Sequence, residues 1–273
     1  MSNSWAMLKA SATVLRLDTE LLIFPLLSTL AVILITVSLV ALIMFFGGPE
    51  ALDDPGYLVY SGGFVFYLIL YTIIFFFNAG LVGATLIRLD GGDPTVGDGM
   101  NIATKKLPTI LGYAVIAATV GMVLRAIEER VGALGRIVVG LIGMSWSLTT
   151  YLTVPVLVSK DVGAIDAVKE SANIFRRTWG EQVVGNAGIG LATFLLFALM
   201  TAVGVPLVIL VSSINEAFAI PMGITLGVGY FFLALLSAAL QGIYSAALYR
   251  FATTGDASEH FNAAMMDQAF RPK

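Results

Sequence analysis

"LLIFPLLSTLAVILITVSLVALIMFF", the stretch from Leu21 to Phe46, runs through 26 residues without one charged side chain. A helix needs about 20 mostly apolar residues to cross the roughly 30 Å hydrocarbon core of a bilayer. The stretch therefore predicts a membrane-spanning helix. A membrane span also indicates that lipid surrounds much of the rest of the chain.

Five further stretches have the length and the low polarity of a span. The third is the shortest because Arg125 ends it, and the last two are joined by the short link "INEAFAIP" (214–221), which predicts a tight hairpin. The sequence thus predicts an all-α, polytopic bundle of six transmembrane helices. The five are Ser61–Ile87, Leu107–Leu124, Ile137–Ser159, Val183–Ser213 and Ile220–Tyr249.

The composition agrees with this environment. Hydrophobic residues make up 58% of the 273 residues and charged residues 12%, whereas a soluble domain has about 25% charged residues. A net charge of −3 without a basic stripe excludes nucleic acid as a partner. The absence of cysteine excludes disulfides and thiolate ligands.

The distribution of Lys and Arg predicts the orientation. Twelve of the 15 lie in the N-terminal segment, in 88–106, in 160–182 and in the C-terminal tail, which would share one side of the membrane. The other side has Arg125, Arg130 and Arg136. Because basic loops stay in the cytoplasm, we expect a protein of the cytoplasmic (inner) membrane with both termini inside.

One short phrase occurs twice. "MLKASATVLR" (Met7–Arg16) and "AVKESANIFR" (Ala167–Arg176) share Lys-x-Ser-Ala-x, two apolar residues and Arg. Each phrase sits in an amphipathic segment too short to span and too charged to bury, which is typical of a helix lying in the membrane interface. The apolar stripes are Trp5, Leu8, Ala12 and Leu15 in the first copy and Ile165, Val168, Ala172, Phe175 and Trp179 in the second.

The two copies suggest a repeat of an interfacial helix followed by a spanning hairpin. "DPTVGDGMNIATKKLP" (93–108) precedes the middle hairpin, with Asp93 as a helix cap and Pro94 at the first helical position. We predict one transmembrane domain over 1–252, in units of about 1–88, 89–160 and 161–252, and a polar cytoplasmic tail over 253–273. The alternative is two interfacial helices and an unrelated middle loop.

Small residues recur along the sixth span. At four-residue spacing they form a ridge that lets helix backbones approach closely in lipid. Such a ridge indicates packing within the chain or a seam between copies in a homo-oligomer. Its members are Gly223, Gly227, Ala234, Ala238, Gly242 and Ala246.

The segment "RAIEERVGALGR" (125–136) holds the densest charge away from the predicted cytoplasmic side. In one interpretation the third helix continues past the lipid and its end is solvated. In the other the charges enter the bundle and line an ion or solute path, because intramembrane charge costs about 2.5–3.5 kcal/mol and is usually functional. The candidate lining residues are Arg125, Glu128, Glu129, Arg130, Asn78 and Gln241.

The sequence contains no motif typical of an enzyme active site. The spans contain no acidic, basic or histidine side chain, and His260 is the only histidine. There is no nucleophile–base pair, metal-ligand spacing or phosphate loop. We therefore expect no catalytic residues, no metal and no cofactor.

The preferred prediction is a non-enzymatic membrane scaffold or a module that interacts with lipids or a membrane protein partner. Its basic residues would contact anionic headgroups or that partner, each gaining about 1 kcal/mol near an anionic leaflet. The same charges also serve simply to set topology. The alternative function is an oligomeric channel or transporter for a small solute or ion. The basic candidates are Lys9, Arg16, Lys169, Arg176 and Arg177.

Three stretches carry a family resemblance: "SWAMLKASATVLRLDTELLIFP" (4–25), "AIEERVGALGRIVVGLIGMSWSL" (126–148) and "TVPVLVSKDVGAIDAVKESANIFRRTWGEQVVGN" (153–186). They resemble an uncharacterised prokaryotic family of six-helix integral membrane proteins. More distantly, the last is similar to the membrane domain joined to some glycerophosphodiester phosphodiesterases. The resemblance implies a fold and no catalytic residues.

Overall fold

The computed structural model describes residues 2–47, 57–179, 188–255 and 261, with side chains described over 7–46, 62–177, 193–255 and at 261. Over these residues the chain is all-helical and contains no β-strand. The predicted all-α class is confirmed.

The chain repeats three times a unit of one short helix followed by two long helical segments. A 3-10 turn over Thr19–Leu22 leads into the first long helix. In the middle unit, the second long segment is broken into two helices. The helices are α1 (Ser2–Leu17), α2 (Ile23–Gly47), α3 (Tyr57–Leu89), α4 (Val96–Lys105), α5 (Leu107–Glu128), α6 (Ala133–Thr149), α7 (Thr153–Ser159), α8 (Ala164–Trp179), α9 (Gly188–Ile214) and α10 (Ala219–Thr254).

Over the described residues, six helical segments are long and apolar enough to cross a membrane, which confirms the predicted number. They are Thr19–Phe46, Gly62–Leu89, Leu107–Glu128, Ala133–Ser159, Thr193–Ile214 and Glu216–Thr254. The predicted start of the fifth span, at Val183, lies outside the described residues. The third runs past Arg125 to Glu128. The predicted tight hairpin is also present, because a 3-10 turn over Glu216–Phe218 joins α9 to α10 and Asn215 Oδ1 accepts a 2.9 Å hydrogen bond from the Ala217 amide.

The middle short helix begins two residues later than expected. The predicted cap at Asp93 was wrong, because Thr95 caps α4 and Asp93 pairs with Arg88 instead. Thr95 Oγ1 accepts from the Asp98 amide at 3.2 Å, and Asp98 Oδ2 accepts from the Thr95 amide at 2.9 Å. This reciprocal capping box satisfies two amides that the first turn leaves free. The hydrogen bonds from the Thr95 backbone and side chain also lower the pKa of Asp98.

The short helices α4 and α8 pack on the long helices that precede them in the chain. Helix α4 packs on α3, and α8 packs on α5, α6 and α7. Helix α1 has no preceding helix and packs on the last two long helices, α9 and α10. The three short helices therefore lie at one end of the bundle, together with the C-terminal ends of α3 and α10, and we call this end the basic end.

The contact of α4 with α3 is a contact between backbones. A Cβ built on Gly99 would lie 2.6 Å from the carbonyl oxygen of Gly80 and 2.4 Å from Cζ of Phe24. The Phe24 ring is fully buried in this junction. Only glycine at position 99 allows the two helices this approach.

The break between α6 and α7 explains the serine of the repeated phrase. Pro155 has no N–H to donate to the carbonyl four residues earlier, so the helix opens before it. Ser171 in α8 donates a 2.7 Å hydrogen bond to the Thr149 carbonyl and accepts a 3.1 Å bond from the Leu152 amide. A polar group freed inside a membrane needs such a partner. Ser11 occupies the matching position of α1 and is equally buried.

The buried core lies toward the basic end of the bundle. It gathers α1, the first turns of α2 and α5, the last third of α3, α4, α7, α8 and the last third of α10. Toward the other end, α2, α5, α6, α9 and the first half of α10 expose many large apolar side chains. Lipid tails are as apolar as these side chains, so such surface is stable in a bilayer.

Candidate functional site

Four cations at the basic end are held in ion pairs that tie the helix ends together. Arg88 on α3 reaches Asp18, which is buried at the α1–α2 junction, and Arg250 on α10 reaches the segment after α3. The hydrogen bond to Glu170 raises the pKa of Lys160. The nitrogen–oxygen distances are 3.3 Å for Arg88–Asp18, 2.8 Å for Arg250–Asp90, 2.6 Å for Lys160–Glu170 and 3.4 Å for Lys106–Asp161.

The cations of the repeated phrase and the adjacent Arg177 behave differently. Lys9, Arg16, Arg176 and Arg177 are exposed, and no acidic group of the described residues pairs with them. Lys169 makes a 3.5 Å contact with Asp166, but both side chains are more than two thirds exposed, so the pair contributes little. We call these five predicted cations the basic surface. They are available to an external anion, as is Lys105 on α4, which is also exposed.

Helix α8 presents three faces rather than two. Its row Ala167, Ser171 and Ile174 is buried against the bundle. The predicted apolar stripe lies beside this row, with Ile165 62% exposed and the side chain of Trp179 outside the described ones. The polar residues occupy the third face. The buried row holds the helix to the protein, and of the stripe residues with described side chains Ile165 is the exposed one while Val168, Ala172 and Phe175 are partly buried.

Helix α1 also has a buried row, and most residues of this row lie one position away from those of its predicted apolar stripe. Met7, Ala10, Ser11, Val14 and Leu15 are buried, whereas the predicted Leu8 and Ala12 are partly exposed and the side chain of Trp5 lies outside the described ones. Leu8, Lys9, Ala12, Thr13 and Arg16 line a recess of about 370 Å³. A second recess, of about 380 Å³, lies between α8 and α10. Its lining is Lys160, Glu170, Ile174, Arg177, Tyr249, Ala252 and Thr253.

A separate cavity of about 260 Å³ lies among the spans. The residues around it come from α2, α3, the α6–α7 break and α10, and none of them is charged. They are Pro25, Ser28, Ile74, Phe77, Asn78, Leu81, Tyr151, Ala238, Gln241, Gly242 and Ser245. The structure thus brings together Asn78 and Gln241, two of the predicted lining residues.

The charged candidates lie elsewhere. Arg125, Glu128, Glu129 and Arg130 are all exposed at the end of α5 and the turn that follows it. Arg125 pairs with Glu129 at 3.1 Å and donates to the Tyr67 hydroxyl at 2.8 Å. Tyr67 precedes Asn78 by eleven residues, or about 16 Å along a helix axis. The structure therefore does not bring these four residues to the cavity.

The ridge of small residues divides into two halves. Gly242 and Ala246 are buried, and a Cβ on Gly242 would lie 2.3 Å from Cδ2 of Leu81 on α3. Gly223, Gly227, Ala234 and Ala238 are exposed, and a Cβ on either glycine meets nothing within 4 Å. Within the chain, the ridge packs only at its basic-end half over the described residues.

This division predicts effects of different size for two matched substitutions. Gly242→Leu should destabilise the protein by about 1–3 kcal/mol, because the new side chain overlaps Leu81. Gly227→Leu should change the stability by less than about 0.5 kcal/mol. Thermal unfolding of both variants in the same detergent measures the difference. Equal melting temperatures would contradict the packing described for Gly242.

Sequence reasoning missed several residues at these sites. Tyr151 lies in the α6–α7 break, and the combination of a tyrosine with Pro155 four residues later is the signal that could have pointed to it. Ser28 and Ser245 carried no such signal. Asp18 was also missed, because a single acidic residue between two helices does not reveal its partner 70 positions away.

Comparison with known proteins identifies the family. Residues 56–259, well over half of the chain, match the model described as "Family of unknown function (DUF6159)". No curated protein and no solved structure matches the chain. The resemblance to the membrane domain joined to glycerophosphodiester phosphodiesterases stays a prediction. With six helices long and apolar enough to span a membrane, the chain belongs to the family of unknown function DUF6159.

Proposed function

We propose that this protein is a non-enzymatic scaffold of the cytoplasmic membrane whose basic surface binds anionic lipid headgroups. In this arrangement both termini and the short helices α1, α4 and α8 lie on the cytoplasmic side. The observation that carries the proposal is the contrast among the cations of the basic end. Those that tie the helices together have acidic partners, whereas Lys9, Arg16, Arg176 and Arg177 have none among the described residues.

The surroundings of these cations support a lipid ligand over a soluble anion. Leu17 and Ile165 are more than half exposed on the same helices. A helix with an apolar face beside a cationic face is suited to the boundary between acyl chains and headgroups. Long Lys and Arg side chains reach from this depth to the phosphate level.

The two recesses at the basic end support headgroup binding in the same way. Lys9 and Arg16 border one, and Lys160 and Arg177 border the other. Lys160 is already paired with Glu170, which leaves Arg177 to meet a phosphate there. Each recess thus offers at least one cation next to apolar side chains.

The proposal predicts weaker binding of an anionic lipid when the basic surface is neutralised. Phosphatidylglycerol is titrated into the detergent-purified protein and bound lipid is counted by native mass spectrometry. In Arg176→Gln/Arg177→Gln the affinity should fall roughly fivefold for each charge removed, since each is worth about 1 kcal/mol near an anionic surface.

The matched control removes two exposed cations at the opposite end, in Arg130→Gln/Arg136→Gln. These variants carry the same net charge change, so a loss of nonspecific attraction affects both pairs equally. Equal affinities in the two double variants would refute specific headgroup binding. Unchanged lipid affinity together with loss of a co-purifying membrane protein would assign the basic surface to a protein partner.

A channel or transporter is the second candidate, and the uncharged cavity within the spans is the observation that favours it. A flux assay in liposomes separates it from the scaffold. Glu128→Gln/Glu129→Gln tests whether the charged cluster takes part. Flux above that of protein-free liposomes would replace the scaffold proposal, and flux lost in this variant would place the charges in the path.

A further inference from the structure

We infer that the cavity between α2, α3 and α10 is a binding site for an uncharged lipid with a free hydroxyl on its head, such as a diacylglycerol. This site is distinct from the basic surface, which would hold charged headgroups at the membrane boundary.

Four polar side chains face this cavity without a hydrogen bond to any other described residue. They are the amides of Asn78 and Gln241 and the hydroxyls of Ser28 and Tyr151. Ser245, also in the lining, is already bonded to the Gly242 carbonyl at 2.9 Å. A polar group without a partner in hydrocarbon costs free energy, so the cavity is built for an occupant that can form hydrogen bonds.

The depth of the cavity places that occupant within the hydrocarbon. Asn78 lies eleven residues before Leu89, the basic-end terminus of α3, which is about 16 Å along the helix axis. The hydrocarbon core is about 30 Å thick. The amide is therefore close to the middle of the membrane.

The chemistry of the lining selects a neutral head. No lining residue is charged, so an ionic headgroup would find no counter-ion at this depth. Carboxamides both donate and accept hydrogen bonds, and so do hydroxyls. A head bearing free hydroxyl and ester oxygens matches this set.

The apolar walls of the cavity and the position of its opening favour a lipid over a small solute as the occupant. Pro25, Ile74, Phe77, Leu81 and Ala238 provide apolar contact beside the polar groups. Ile74, Ala238 and Gln241 are the exposed members of the lining, and all three lie on spanning helices. The cavity thus opens sideways to the bilayer, through which acyl chains can extend while the head is held inside.

The experiment uses the full chain in nanodiscs of phosphatidylcholine with a small fraction of dioleoylglycerol carrying a photoreactive diazirine in one acyl chain. Cross-linked peptides are mapped by mass spectrometry. The matched lipids are a diazirine-bearing triolein, which lacks the free hydroxyl, and a diazirine-bearing phosphatidic acid, which is anionic. We expect dioleoylglycerol, and not triolein, to label α3 and α10 around Phe77 and Ala238.

Two variants test the polar groups. Asn78→Leu/Gln241→Leu should reduce this labelling about thirtyfold, because it removes two hydrogen bonds worth roughly 1 kcal/mol each. Tyr151→Phe removes one hydroxyl with almost no change of shape, and it should reduce labelling about fivefold. This variant provides the test if the double variant does not fold. Thr119→Val on α5, whose hydroxyl bonds its own helix at the Val115 carbonyl, should leave labelling unchanged.

The remaining outcomes separate this inference from the proposed function. Labelling by triolein equal to that by dioleoylglycerol, labelling unaffected by both cavity variants, or no labelling at the cavity, as for a cavity filled only by water, would overturn it. Phosphatidic acid labelling that is lost in Arg176→Gln/Arg177→Gln concerns the basic surface alone. The neutral-lipid site would stand if that labelling were absent and the cavity labelling were as expected.

Discussion

Alanine at position 99 should lower the melting temperature of the detergent-purified protein, although alanine normally favours a helix. The added methyl group would lie 2.6 Å from the Gly80 carbonyl oxygen and 2.4 Å from Cζ of Phe24. The carbonyl belongs to the backbone of α3 and the ring is fully buried, so neither has room to move. Overpacking of this kind costs about 1–3 kcal/mol, and we expect the upper end of that range.

Gly97→Ala provides the control within the same helix. Its added methyl group would meet only Thr95 Oγ1, at 3.5 Å, which is ordinary contact. Removing a glycine from a helix lowers the entropy of the unfolded chain, so this variant should be neutral or more stable by about 0.5 kcal/mol. Thermal unfolding of both variants in one detergent gives the comparison. If Gly99→Ala is as stable as Gly97→Ala, α4 does not dock on α3 through these glycines.

The large-scale organisation of this chain was predictable because hydrophobicity is a signal that each span carries alone. Leu21–Phe46 needs no partner to be recognised, and the structure places its span at Thr19–Phe46. The short link after Ile214 was recognised for the same local reason. Predictions of this kind depend on the solvent around a segment and not on which segment packs against it.

The sequence did not determine where each helix starts or which of its faces packs on the bundle. A helix start accepts any of Asp93, Thr95 and Asp98. Thr95 is the cap because Asp98 forms the reciprocal hydrogen bond of a capping box with it. In α1 the apolar residues cover more than one face, so the sequence did not distinguish the exposed row from the buried row. That distinction came from the helices α9 and α10, which lie about 200 residues later in the chain.

The candidate site was predictable only in part, for a similar reason. Asn78 and Gln241 were noticed because an amide within a span is unusual, and the structure brings both to one cavity. The cluster at Arg125 was equally unusual, yet it is exposed at the C-terminal end of α5, away from the basic end. Composition indicates that a residue is costly in lipid, whereas its depth follows from where its helix begins and ends.

Removing the guanidinium of Arg88 should be among the most destabilising single changes in the chain. Its partner Asp18 has a side chain only 5% exposed, and the two are 3.3 Å apart. Breaking a buried ion pair costs about 3–5 kcal/mol, because the remaining charge stays buried without compensation. Arg88 is itself 21% exposed, so we expect Arg88→Met to cost about 3 kcal/mol, or roughly 6–12 °C in melting temperature.

The cause of that loss can be separated from a loss of packing. Arg88→Met/Asp18→Asn also removes the orphaned negative charge, so it should be more stable than Arg88→Met alone and recover about half of the loss. Arg125→Met breaks a comparable pair in which both side chains are 66% exposed, and it should cost less than about 1 kcal/mol. If the double variant melts no higher than Arg88→Met, the buried charge of Asp18 is not what Arg88 compensates. If Arg125→Met costs as much as Arg88→Met, burial does not distinguish the two pairs, and the closure of the basic end must rest on the packing of α1, α4 and α8 alone.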